Sequence, residues 1–141
     1  MALTEAGDRS DTVILRVPRE RGSLPVMRVV IGGVASRHAL SVDRLDDVEL
    51  AVETLFREEP AEGGDLTLTV GVVEDTFRVL LAGLRSQLVK RTLSAAGGLE
   101  PGIDGRAEVL RMIMDSLVDD YQTADGAVAG SFSVQLEKRI P

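Results

Sequence analysis

The chain has 141 residues, 44% of them apolar and 28% charged, which fits one globular domain and excludes a disordered chain. A formal net charge of −7 argues against binding nucleic-acid phosphates, and no apolar run reaches the ~18 residues of a membrane span. With no cysteine, disulfides, a thiolate nucleophile and a Cys-ligated metal are also excluded.

The charge is uneven. Residues 1–40 hold six Arg against four acids, whereas residues 41–141 hold ten basic and nineteen acidic residues. An acidic domain suits a basic protein partner, because opposite fields speed encounter. The N-terminus is acidic and lacks an apolar signal core, so a cytoplasmic location is expected.

In chain order, residues 1–10 read as a flexible tail and 11–141 as a single domain. TVILRV, from Thr12 to Val17, alternates as a strand with Val13, Leu15 and Val17 on one face. A loop follows. Ser23 then suits a helix cap, with Pro25 in the first turn. This first helix spans about 24–37 with Met27, Val30, Ile31 and Val34 as its apolar stripe. Gly32 and Gly33 lie inside it, each costing ~1 kcal/mol against Ala, which predicts close backbone approach to another element.

A second helix is capped by Ser41 or Asp43 and buries Leu45, Val48, Val52, Leu55 and Phe56. EGGD, from Glu62 to Asp65, turns the chain. Leu66–Val73 and Thr76–Gly83 read as a β-hairpin about Glu74-Asp75. Residues 84–104 read as a long loop with weak helical character at its start. A helix follows with Asp104 as its candidate cap and Leu110, Ile113, Met114, Leu117, Val118 and Tyr121 buried. A short strand, a Gly-rich turn and a long strand with Phe132, Val134 and Leu136 inward close the chain. The order β-α-α-β-β-loop-α-β-β predicts an α+β fold: a mixed, largely antiparallel sheet with three helices on one face.

Glu49 and Glu53 are i, i+4 neighbours and form a conceivable paired-carboxylate or Mg²⁺ site. Arg57 is placed to pair with Glu53, so a solvated helix face is preferred. His38 is the single histidine and has no partner for zinc. The segments EGGD, AAGG and PGIDG match no phosphate-loop pattern and read as turns. Arg16, Arg19, Arg21 and Arg28 form a candidate basic patch for a protein partner.

GVASR (Gly33–Arg37), DRLDDVELAVET (Asp43–Thr54), the hairpin GDLTLTVGVVEDTFRVLLA and MIMDSLVDDY (Met112–Tyr121) together resemble the anti-sigma-factor serine kinases. These belong to the histidine-kinase-like ATPases of the Bergerat fold, a two-layer α/β sandwich. The resemblance runs over about residues 11–138. It implies a Glu base at Thr54, a Mg²⁺-holding Asn at Glu58, an adenine-reading Asp at Gly83 with its Gly at Arg85, and a Gly-x-Gly at Glu108–Leu110. None of these groups is present. Glu58 repels phosphates unless a metal bridges them, Gly83 supplies no carboxylate, and Glu108 opposes phosphate at a helix N-terminus.

The expectation is therefore a regulatory protein-binding module with kinase chemistry lost, and so not an enzyme. No catalytic, metal or cofactor-binding residue is assigned, and no cofactor. The resemblance implies a sigma factor or an anti-anti-sigma type protein as partner, a homodimer, and Arg28 in the first helix as the partner-binding residue. Two other readings stay open: an active, divergent kinase using Glu53 or Glu58 as metal ligand or base, and a scaffold that pairs with an active homologue.

Overall fold

The computed structural model describes residues 12–61, 63–94 and 105–141. The predicted tail, Asp104 and the AAGG segment lie outside them. The elements are β1 (Val13–Pro18), α1 (Ser23–Ser36), α2 (Val42–Arg57), β2 (Asp65–Val73), β3 (Thr76–Leu84), α3 (Gln87–Ser94), α4 (Gly105–Leu117), β4 (Asp120–Asp125) and β5 (Phe132–Arg139).

The five strands form one sheet in the order β1-β2-β3-β5-β4. Every pairing is antiparallel. The expected mixed sheet is thus antiparallel throughout, and the connection from β3 to β4 skips one place, so that β5 inserts between β3 and β4. One sheet face is apolar: Leu66, Leu68 and Val70, Phe77, Val79 and Leu81, and Phe132, Val134 and Leu136 are all buried. All four helices contribute side chains to the core over this face. The other face carries Thr67, Thr69, Ser133 and Gln135 together with Leu80 and Ala82, a more polar mixture than the core face.

Among the described residues four helices are present, one more than expected. The extra one, α3, buries Val89, Thr92 and Leu93. The residues are at i, i+3 and i+4, so one turn of helix faces the core. Its short length and polar remainder read as loop. Ser86 Oγ accepts a hydrogen bond from the amide of Val89 at 3.2 Å and caps the helix.

Helix α2 forms as predicted, with Ser41 Oγ accepting from the amide of Arg44 at 3.2 Å. Helix α1 starts one residue early. Ser23 is inside it, and its hydroxyl donates to the carbonyl of Pro18 at 2.6 Å instead of capping. Gly33 has nothing within 4 Å of where a Cβ would stand, and at Gly32 the nearest atom is Glu49 Oε2 at 3.9 Å. The predicted close approach at this pair is absent. Helix α4 ends at Leu117, so Tyr121 belongs to β4, and Tyr121 donates to Asp115 at 2.7 Å.

Lys138 ties the layers together. Its ammonium donates to the carbonyl of Leu117 at 2.7 Å and to Asp47 at 3.0 Å. A cation at the end of α4 satisfies a carbonyl that has no helical partner and complements the helix dipole.

Candidate functional site

The sequence candidates gather around the α1–α2 seam and the adjoining ends of β1 and β3. Arg28 points from α1 to Glu53 on α2, and Arg57 reaches back to the second oxygen of the same carboxylate. The Glu53 side chain is only 12% exposed while Arg28 and Arg57 remain 45% and 70% exposed. The expected solvated face is therefore corrected at this position: the i, i+4 pair forms, but the carboxylate sits under two guanidiniums. A guanidinium has five donors, so both keep N–H groups free for another acceptor. Next to it, burial raises the Glu49 pKa, with Arg28 opposing and Asp46 adding to the rise.

Arg19 is not part of a surface patch. Its side chain and that of Glu59 are both 2% exposed and ion-paired at 3.0 Å. Arg19 also donates to the carbonyls of Gly63, at 2.8 Å, and Gly83. Glu59 in turn accepts from the amides of Arg85 and Ser86, each at 3.0 Å. This clasp joins the β1–α1 loop, the end of α2 and the β3–α3 junction. Gly64 and Gly83 make room for it at φ +104° and +92°. A Cβ on Gly64 would stand 3.1 Å from Arg19 Nη1, and one on Gly83 would stand 2.9 Å from the carbonyl oxygen of Asp65. The glycines in EGGD and LLAGLR were the sequence signal for the clasp.

The remaining candidates do not join. Arg16 pairs with Asp65 at 3.0 Å on the exposed surface. Arg21 is exposed and lines a cleft of about 510 Å³ with Leu24, Phe56, Arg57, Pro60 and Ala61. Thr54 returns its hydroxyl to the carbonyl of Leu50 at 2.7 Å. Glu58 accepts from Arg106 at 2.7 Å. Glu108 lies in the first turn of α4 and Leu110 is buried. His38 is half-buried after α1 and joins neither the seam nor the clasp. Among the described residues no group of three or more His, Asp or Glu side chains is arranged to hold a metal ion.

The resemblance carries a Mg²⁺–nucleotide with it, and the described residues do not fit that group. Gly83 has no carboxylate and its carbonyl is held by Arg19. The amides of Arg85 and Ser86 are taken by Glu59, and Glu58 is paired with Arg106.

The fold is thus α+β, a single antiparallel sheet covered on one face by helices, with a cationic seam between the first two helices. No protein-family model matches the chain. It is similar to Serine-protein kinase RsbW of Bacillus subtilis (strain 168), at 25% identity over 83 residues, covering 53% of this chain and 51% of that protein. The match therefore spans about half the length of that relative. The relative is a serine-protein kinase, and this overturns the expectation that the chain is not an enzyme: the similarity points toward an enzyme class. No helix among the described residues is long and apolar enough to cross a membrane.

Proposed function

We propose that this chain is an anti-sigma-like regulator of the serine-protein-kinase type that acts by docking a regulatory protein on α1 around Arg28. The partner classes are those the resemblance implies, a sigma factor or an anti-anti-sigma type protein. The observation that carries this is the surface of α1. Arg28 is presented across the seam, and Val26 and Val29 stand 47% and 74% exposed within one turn of it. Exposed valines on a helix contribute little to stability, since β-branched residues are poor helix formers and here bury little area. Beside an arginine, they give α1 an exposed apolar strip that a docked protein would cover.

The test is titration of the purified chain with candidate sigma factors and anti-anti-sigma proteins. Arg28→Glu is expected to weaken the cognate complex by at least about tenfold, through loss of an interfacial charge contact. An unchanged affinity would remove the reading. A homodimer belongs to the same proposal, and sedimentation of the free chain checks it.

A second reading, ATP-dependent phosphorylation of a partner serine, is favoured by the relative's being a serine-protein kinase. Titration with ATP and Mg²⁺ separates the two. Saturation at 100 times Kd raises stability by about 2.7 kcal/mol, a clear rise in melting temperature. Transfer of labelled phosphate to the partner would establish the second reading.

A further inference from the structure

The buried clasp has the geometry of a carboxylate-binding site. Oε1 of Glu59 accepts from Nε of Arg19 at 3.0 Å, and Oε2 accepts from the amide of Ser86 at 3.0 Å. The amide of Arg85 lies 3.0 Å from both oxygens. One carboxylate is thus met on both oxygens, by a guanidinium and by two amides just before α3. The positive end of the α3 dipole lies at the same place. Hydrogen bonds that join charged groups are roughly twice as strong as neutral ones.

The donors are held in place by contacts other than Glu59. The Arg19 guanidinium also donates to the carbonyls of Gly63, at 2.8 Å, and Gly83. The Arg19 amide donates to the carbonyl of Gly64 at 3.1 Å. Ser86 is fixed by its cap on Val89, and its carbonyl accepts from the amide of Lys90 at 3.1 Å. Glu59 reaches in from elsewhere, one residue beyond the Glu58 cap of α2. Without its side chain the three donors keep their positions and lose their anion. Both Arg19 and Glu59 line the cleft of about 510 Å³, so the vacated space is within reach of small solutes.

We propose that the clasp is a carboxylate receptor which the chain fills from within, with Glu59 as a plug that closes the β3–α3 junction to external anions. A small carboxylate such as formate is the ligand that fits once the plug is withdrawn, because it brings the same two oxygens to the same donors. A plain cross-link behaves differently. It serves by tying the end of α2 to the loop before α1, and a free anion cannot restore that tie. A receptor needs only its anion, since a buried donor left without an acceptor is the main loss.

The test is chemical rescue of the full chain carrying Glu59→Ala, melted in sodium formate against sodium chloride at equal ionic strength. Formate is expected to raise Tm in a saturable way, by about 5 °C once it is tenfold above its Kd. In the parent chain the two salts are expected to act alike, because Glu59 fills the site. Arg19→Met combined with Glu59→Ala removes the guanidinium and is expected to abolish the formate effect. If Glu59→Ala is unfolded in chloride, the reading becomes the folded fraction after dilution from urea into each salt. A larger fraction in formate then supports the receptor, and equal fractions overturn it. For a folded variant, the absence of a saturable rise overturns the proposal, and so does an equal rise in the parent or in the double variant.

Discussion

At the scale of single residues, burial decides what each charge does. Arg19 and Glu59 are both withdrawn from water, and removing one partner strands the other. Glu59→Ala is expected to cost about 3–5 kcal/mol in urea denaturation, as for other broken buried pairs. Replacing both with apolar residues, Arg19→Met with Glu59→Leu, is expected to recover much of that loss, although the amides of Arg85 and Ser86 then lack their acceptor. Glu49 behaves in the opposite sense. Its carboxyl pKa is raised by burial. A raised carboxyl contributes stability that is present below its unfolded pKa and lost as pH rises through the folded value. Glu49→Gln is therefore expected to melt higher than the parent at neutral pH. The difference should close as pH falls toward the ordinary carboxylate range, and melting curves across that range check it. The flanking glycines apart, the buried charges themselves were not readable from the sequence. An arginine in PRERGS and a glutamate after a helix both read as surface, because burial of a charge depends on partners 40 residues apart.

At the scale of elements, the glycines sort by backbone angle. Gly33→Ala fills open space in a helix interior and is expected to stabilise by up to about 1 kcal/mol. Gly83→Ala is expected to destabilise by more than the ~1–2 kcal/mol of a left-handed residue, because its Cβ would also press on the carbonyl of Asp65 at 2.9 Å. Thermal denaturation of the two variants, run side by side, should move in opposite directions. Ser86→Ala should cost about 1 kcal/mol by uncapping α3. The long elements were legible because their apolar spacing is strong: α2 and the β2–β3 hairpin lie where periodicity puts them. Even the hairpin's two-residue loop was found, although Glu74 takes φ 55°, a conformation Asn or Gly adopts more easily. Helix α3 was missed for the opposite reason. Eight residues with only three buried give too short a period to stand out from a loop. At the seam, sequence spacing found the Glu53–Arg57 pair. The third member, Arg28, reaches Glu53 from a different helix, and such pairing is a product of tertiary packing.

At the scale of the whole molecule, the antiparallel sheet of the described residues ends at two edge strands, β1 and β4. Among the described residues strand β1 pairs only with β2 and exposes Val13 and Ile14, so its hold on the sheet is weaker than that of β3 or β5. Arg19 follows β1 directly and anchors the chain to Gly63, Gly83 and Glu59. The anchor has a consequence for local opening. A strand secured at its C-terminal end by a buried side chain can fray from its start but cannot peel away as a unit. Release of the anchor in Arg19→Ala should turn β1 into a separately opening segment. Its amides would then exchange with deuterium long before those of β3 and β5, while in the parent chain protection should increase from Val13 toward Val17.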